Sequence, residues 1–525
     1  MYANAEQRLS ALLATAGKTT ILGGNTGLEK ESLRVAPDGS IAQTPHPATL
    51  GSALTHPWIT TDYSEALLEF ITPPLASPIA ALDFLRDLQQ FVYLKLDEEL
   101  LWSSSMPCVV EGESSIPIAQ YGSSNAGMMK TVYRRGLGYR YGRVMQVIAG
   151  AHYNYSFPDA FWPVFRELAK DNRPLREFIS DSYFRLIRNL LRYGWLIPYL
   201  FGSSPAICKS FLSGIPAKLE EFNENSYYAP FATSLRMCDI GYQNTHENED
   251  GFKATYDNLE VYIDSLTNAI ETPCPSHVEI GVRVGGEYRQ LNANILQIEN
   301  EYYSSVRPKQ VPEFNEKPTL ALQRRGVRYI ELRSLDINVY DPLGISTEQC
   351  RFLETMMAFC LFQDSPPLSE QERRNIDSNL DAVCYRGRDP SLMLNRDNQT
   401  VSLRQWATEL CRAMTGFAGL LDTGASGTPY TRALQAQVES VHDPDRTPSA
   451  QILADMRAHG EGYFHFAKRM SRQHQEYFMK LEHNPETRRK LEAVVERSVR
   501  DQRHLEAADT RPFEEFLRDY FAQQP

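Results

Sequence analysis

The run GLEKESLRV, residues 27–35, sets two glutamates two positions apart among apolar neighbours. Side chains alternate across an extended strand, so Glu29, Glu31, Leu33 and Val35 share one face while Lys30, Ser32 and Arg34 share the other. Two carboxylates about 7 Å apart along a strand and aimed inward carry a heavy cost in desolvation and mutual repulsion unless cations balance them. Ligation of divalent metal ions is the chemistry that this pattern suits. A strand whose twist carries both glutamates to solvent at its end is the other reading, and this run alone does not choose between them.

Three further runs add the same kind of residue. WITTDYSEALLEFITP, 58–73, reads as a loop bearing Asp62 that leads into a strand with Glu65, Leu67, Glu69 and Ile71 on one face. RYIELRSLDIN, 328–338, puts Glu331 and Arg333 on one face and Ile330 and Leu332 on the other; a structural ion pair is the alternative there. In QVIAGAHYNYSF, 146–157, the even positions Gln146, Ile148, Gly150, His152, Asn154 and Ser156 are mostly polar and the odd positions apolar, as for a strand lining a wet cavity. A lone histidine is more often a satisfied core residue than a ligand. Four strands that each offer an inward acid or imidazole change that balance, and oxygen donors without cysteine suit Mg²⁺ or Mn²⁺ better than zinc. Several magnesium ions held by glutamates beside a free arginine point to phosphate chemistry. YRRGLGYRYGR (133–143), Ser234-Leu235-Arg236 and Arg307-Pro308-Lys309 offer positive counterparts, either as solvated faces or as anchors for carboxylates and phosphates. Gly17-Lys18-Thr19 imitates the end of a phosphate-binding loop, but Leu12 stands where that loop needs glycine and no strand precedes it.

The elements that must carry these residues are legible in outline. Alternating runs broken by turns such as Pro37-Asp38-Gly39 predict an antiparallel sheet within an α+β fold. Ser77-Pro78 should cap a helix burying Ile79, Leu82, Leu85 and Leu88, and a second helix should span Leu175 to Tyr193. Near residue 345 the character changes. Ser346 with Gln349, Ser369 with Glu372 and Ser402 with Gln405 have the spacing of capping boxes, so 346–525 is expected to be almost entirely helical and packed on a catalytic core of 1–345.

Composition sets the outer limits. The 525 residues are 42% hydrophobic and 23% charged with a net charge of −12, which suits a soluble globular protein and gives no electrostatic footprint for nucleic acid. No apolar run approaches the ~18 residues of a membrane span, and the N-terminal stretch reads as an amphipathic helix, so a cytoplasmic protein is expected. Eight cysteines without a CxxC pair predict reduced, mostly buried thiols, with Cys108 and Cys208 inert in apolar surroundings.

GLEKESLRV, LGSALTHPWITTDYSEALLEFITP, AQYGSSNAGMMKTVYRRGL, GAHYNYSF, FGSSPAIC, ATSLRMCDIGY, NILQIENEYYSSVRPK and YIELRSLDIN resemble the strings of the proteobacterial type of glutamate-cysteine ligase. The resemblance covers most of residues 20–345. It implies an open half-tunnel of antiparallel sheet related to the catalytic domain of glutamine synthetase, and ATP-dependent joining of the glutamate γ-carboxylate to the cysteine amine, the first step of glutathione synthesis. It further implies that Glu29, Glu31, Asp62, Glu69, His152 and Glu331 hold two or three Mg²⁺ ions, with Mn²⁺ an alternative. Arg236, Arg333 and Glu331 would be catalytic, with Arg333 also on the nucleotide. Tyr133, Arg134, Gln146, Asn154, Arg236 and Tyr242 would bind the amino acids. Position 63 is Tyr where the family pattern has Phe. No fused glutathione-synthesising domain is expected, and the partners implied are small molecules, with a monomer plausible. A related ligase with another acceptor amine, or a metabolite-binding protein on the same scaffold, are the competing readings.

Overall fold

The longest strand of the main sheet, β1 (Asn25–Val35), is the one that carries the paired glutamates. The computed structural model describes residues 2–212, 218–241, 252–397 and 399–524. With β2 (Ile59–Thr61), β3 (Leu67–Ile71), β4 (Leu100–Leu101), β5 (Ala151–Ser156), β11 (Val306–Lys309) and β12 (Tyr329–Leu335), β1 forms a seven-stranded sheet in the order β11-β12-β5-β1-β3-β2, with β4 alongside the end of β1. Every pairing is antiparallel and the sheet is open. A small sheet of β6 (Ala206–Cys208), β7 (Glu220–Asn223) and β8 (Ser226–Tyr228), the hairpin β9 (Arg283–Val284) with β10 (Glu287–Tyr288), and the hairpin β13 (Met393–Arg396) with β14 (Gln399–Ser402) complete the described strands.

Alternation along β1 sorts its charges as the sequence predicts. On the back face the Lys30 amine is buried and donates to Gln89 Oε1 at 2.5 Å, and burial pushes its pKa down to about 7. Arg34, also buried, donates to Glu99 at 2.6 Å and to the carbonyls of Thr44 and Glu65. The Pro78–Tyr93 helix lies on this face, its first turn fixed by the Ser77 hydroxyl accepting from Ala80 N and by proline at the first helical position. Leu82, Leu85 and Leu88 are buried as expected, but Ile79 is half exposed, because the buried stripe runs through Pro78, Ala81, Leu82 and Leu85 and leaves position 79 off it. The Pro37-Asp38-Gly39 turn forms with Gly39 at φ +92, yet it returns the chain only to one bridge between Val35 and Ile41. The partners of β1 come from far along the chain instead.

The C-terminal region is mainly helical, with β13 and β14 as a strand interruption that the periodicity did not show. Ser346 and Gln349 form a complete reciprocal capping box. Ser369 makes half of one, accepting from Glu372 N. Ser402 makes none: it closes the β14 strand, and Gln405 donates to Glu409 instead. Most of these helices share one continuous hydrophobic core with the sheet, while the last, Phe513–Phe521, packs with Val132 and Leu291 in a separate cluster. The Pro485–Ala508 helix reaches back to the N-terminal half, where Ser498 Oγ accepts from Ser52 N at 3.1 Å and Glu506 accepts from Ser123 N at 2.9 Å. No described helix is long and apolar enough to cross a membrane.

The cysteines depart from expectation at one pair. Cys108 and Cys208, 100 residues apart, are joined as a disulfide, while the six others form no disulfide and are buried. Their separate apolar surroundings in sequence gave no sign that β6 would lie beside the loop carrying Cys108. Closing a loop of that length restricts the unfolded chain by up to ~4.7 kcal/mol in the entropic account. Cys108→Ala is therefore expected to lower the thermal midpoint measured without reductant, and to leave the reduced wild type and the variant closely matched. Turnover per folded molecule should stay within a few fold, since no thiol of the chain lies among the residues lining the cavity described below. A hundredfold loss of turnover in a folded Cys108→Ala variant would contradict this.

Candidate active site

The front face of the sheet gathers the predicted acids through strand register. Glu29 on β1 pairs with His152 on β5, Glu31 on β1 with Glu69 on β3, and Glu331 on β12 with Asn154 on β5. Side chains on one face of paired strands stand about 5 Å apart, so three long-range pairings convert four distant sequence runs into one cluster. His152 sits among three carboxylates: its Nδ1 is 3.0 Å from Glu29 Oε2 and 3.5 Å from Glu331 Oε1, and its Nε2 is 3.8 Å from Glu31 Oε1. One donor atom each from Glu29, His152 and Glu331 lie within 4.8 Å of one another. Asn154 Nδ2 donates to Glu29 Oε1 at 2.9 Å, and the backbone N–H of Gly150 donates to Glu31 Oε2 at 2.6 Å.

Positive groups surround this cluster on one side. Arg333 Nη1 donates to Glu331 Oε1 at 2.9 Å, and Lys309 Nζ lies 3.2 Å from Glu331 Oε2. Burial opposes ionisation of Glu331, but Lys309, Arg333 and His152 hold its carboxyl well below the usual range. Glu29 is also held low, because the His152 hydrogen bond and charge outweigh its burial. On the β3 side the balance reverses. Burial, reinforced by Glu29, Asp62 and Glu31, drives Glu69 well above the usual range, and burial likewise raises Glu31.

A cavity of about 570 Å³ opens over the cluster. Glu29, Glu31, Asp62, Glu69, His152, Glu331, Arg236 and Arg333 line it, as do Tyr133, Arg134 and Gln146. Gln146 reaches it from the 3₁₀ turn Val144–Val147, not from the strand that its alternation suggested; β5 starts only at Ala151. Arg134 bonds the carbonyl of Asp62 through Nε and lies over the Tyr121 ring at 4.6 Å, so it fixes the Asp62 loop. Asn154 supports Glu29 and is not among the residues lining the cavity. Glu65 belongs elsewhere, accepting from the backbone N–H of His46 and Gln120. Tyr242 lies outside the described residues. Lys130 and Tyr303 also line the cavity and were not singled out in sequence. Lys130 stands four residues before Arg134 on the helix Asn125–Tyr141, a same-face spacing that could have marked it.

The sequence profile described as glutamate-cysteine ligase matches residues 9–383. The chain is 49% identical over 521 residues to the glutamate-cysteine ligase of Alcanivorax borkumensis, spanning 98% of this chain and 99% of that one. It is 49% identical over 496 residues to that of Pseudomonas entomophila, spanning 94% and 93%. This chain belongs to the glutamate-cysteine ligase family. Its fold matches a crystal structure of the Francisella tularensis glutamate-cysteine ligase in complex with AMP, with a TM-score of 0.89 and 35% identity over 95% of this chain and 98% of that one. A bifunctional glutathione synthetase from Pasteurella multocida shares the fold at a TM-score of 0.71 and 24% identity, covering 90% of this chain and 54% of that longer one. The chain is thus an ATP-dependent ligase that forms γ-glutamylcysteine in glutathione synthesis, as the sequence resemblance implied.

The raised Glu69 carboxyl of this ligase gives a pH-dependent expectation. A group whose folded pKa lies above its unfolded value contributes stability at low pH that is lost as pH rises through the folded value. In metal-free protein Glu69→Gln should therefore raise the thermal midpoint at neutral pH, and the gain should shrink as pH falls to the ordinary glutamate range near pH 4. Thermal unfolding in EDTA across that range checks it. A gain that is the same at both ends would mean that the charge of Glu69 is not what destabilises the wild type.

Proposed function

We propose that ligation proceeds over the front face of the sheet in two steps, with the residues of the Glu29–His152–Glu331 cluster and the flanking guanidinium groups in distinct roles. The observation that carries this reading is the meeting of one imidazole from β5 with carboxylates from β1 and β12 directly beside Arg333 and Lys309. The donor set fits divalent ions of the Mg²⁺ or Mn²⁺ type: mainly carboxylate oxygens, a single imidazole and no cysteine. Glu29, His152 and Glu331 would hold one ion, while Glu31, Asp62 and Glu69 supply oxygens for one or two more. Such ions, when bound, neutralise the polyphosphate and the charge that develops on the transferring group.

The chain's own residues account for the rest. Arg333 and Lys309 face the nucleotide phosphates, and Arg236 faces the glutamate and the transferring phosphoryl group through charge-assisted hydrogen bonds. Held there, a γ-carboxylate oxygen of glutamate attacks the terminal phosphorus of ATP, and the bond to the ADP oxygen breaks. The cysteine amine then attacks the acyl carbon of γ-glutamyl phosphate, the bond to phosphate breaks, and the amine loses a proton as the amide forms. Tyr133, Arg134 and Gln146 shape the end of the cavity that receives the amine. Asn154 holds Glu29 in place. Crowded negative charge in both steps makes preorganised cations the main source of acceleration. The absence of a membrane-spanning helix among the described residues and the small-molecule substrates are consistent with a cytoplasmic enzyme.

ADP release is expected to require glutamate, an acceptor amine and Mg²⁺ together, with cysteine the preferred acceptor. Equal rates with alanine would favour a ligase of different acceptor, and no turnover with any amino acid would favour a binding protein. Glu29→Gln and Glu331→Gln should each cut turnover by about two orders of magnitude, as for loss of one preorganised electrostatic element. Folding should persist in both. Retained turnover with a large loss of stability would show the two glutamates to be structural.

A further inference from the structure

Arg236 reaches the cavity from an irregular segment, and its guanidinium is only partly occupied by the protein. Nη2 donates to the carbonyl oxygen of Arg333 at 3.0 Å, Nη1 contacts Met237 Sδ at 3.1 Å, and the buried Nε has no partner. A guanidinium has five N–H donors, so several remain for a substrate anion. In front of it lies Gly150, where a Cβ would stand 2.1 Å from Nη2; only bare backbone lets the arginine lie there. The N–H of that same glycine holds Glu31. Arg236 is therefore next to a carboxylate with which it could pair, in a cavity that also holds Glu29, Asp62 and Glu69.

Behind Arg236 is Asp336, one residue beyond β12 and 2% exposed. Its Oδ2 accepts from Ser203 N at 2.7 Å and from Ser204 Oγ at 2.6 Å. Its Oδ1 accepts from Ser234 Oγ at 2.8 Å and stands 3.9 Å from Arg236 Nη1. Ser204 Oγ in turn accepts from the backbone N–H of Arg236 at 3.2 Å, and Ser204 and Ser234 are joined by a parallel bridge. One carboxylate thus ties down the backbone that bears Arg236 and lies beside its charge. Nothing else in the reaction calls for it: Asp336 is not among the cavity residues and has no route to a metal ion or substrate.

We propose that Asp336 is a positioning residue for the ligation: with Ser204 and Ser234 it holds the Arg236 guanidinium at the back of the cavity, off Glu31, so that the free N–H donors face the glutamate. The proposal rests on the role given to Arg236 above. A carboxylate behind and carboxylates in front compete for one cation, and the three hydrogen bonds that fix Asp336 decide which of them has the cation at the right place. Removing the rear charge leaves Arg236 to close on Glu31, which spends both a substrate anchor and a candidate metal ligand.

The test is a double-mutant cycle of Asp336→Asn and Arg236→Met, with KM for glutamate, cysteine and ATP, kcat and thermal unfolding measured on the full chain. Asp336→Asn is expected to raise KM for glutamate about tenfold, less than the loss of a hydrogen-bonded buried charge pair because the two groups stand 3.9 Å apart, with KM for ATP within about twofold. In the Arg236→Met background the same substitution should add less than about twofold, because residues that act through one another are not additive. Should Asp336→Asn fail to fold, Ser234→Ala loosens the same carboxylate and should show the same pattern at smaller amplitude. Multiplicative effects in the cycle, or equal rises in KM for ATP and glutamate, would reduce Asp336 to a structural residue and overturn the proposal. If Arg236→Met itself leaves KM for glutamate and kcat unchanged, the reading of Arg236 fails first and takes the proposal with it. If Arg236→Met is impaired while Asp336→Asn is not, only the positioning role falls.

Discussion

Negative charge concentrated on one face of a sheet is the constraint that the rest of this molecule answers. Glu29, Glu31 and Glu331 converge around one imidazole with Glu69 across from Glu31, and burial makes each uncompensated charge expensive. Compensation is uneven across the sheet. On the β12 side Lys309 and Arg333 keep Glu331 ionised, while on the β3 side the acids mainly face one another and Glu69 resists losing its proton. That gradient fits a site that takes its missing positive charge from solution, and it is a stability sacrificed for chemistry in the metal-free chain.

The same demand explains features that do no chemistry. The back face of β1 buries Lys30 and Arg34 against Gln89 and Glu99, so both faces of one strand carry charge and the back face is satisfied within the protein. Asn154 and the Gly150 N–H hold glutamate oxygens in fixed directions, which keeps the cluster from relaxing outward. Arg236 can approach only because Gly150 has no side chain. The helical C-terminal region takes part as well: Ser498 and Glu506 bind the loops before Asp62 and before the Asn125–Tyr141 helix, and Leu505 and Tyr520 reach the cavity itself. Those loops bring Asp62, Tyr133 and Arg134 to the site, so the helices help to shape the end of the cavity opposite Lys309.

Period-two alternation carried most of the site. Glu29 with Glu31 and Glu331 with Arg333 could be placed on shared faces because the pleat allows nothing else. Gln146 lies in a 3₁₀ turn although its neighbours alternate in polarity as a strand does, because polarity records exposure to the cavity whatever the backbone does. Ser402 and Gln405 had capping-box spacing, but β14 supplied the approach to that helix and the box did not form. The Cys108–Cys208 bond was invisible, because cysteines 100 residues apart carry no local signal of proximity.

The sequence by itself determined which strand residues could share a face, that the sheet would be antiparallel, and which family the chain resembles. Those properties are local: they follow from side-chain chemistry, the two-residue repeat of a strand and strings of adjacent residues. Only the tertiary structure decided that His152 meets Glu29, that Glu331 comes to both from a strand nearly 180 residues after β5, and that Asp336 stands behind Arg236. Register across strands and the packing of an irregular loop depend on contacts between segments far apart in the chain, and a single sequence states the segments without stating which of them touch.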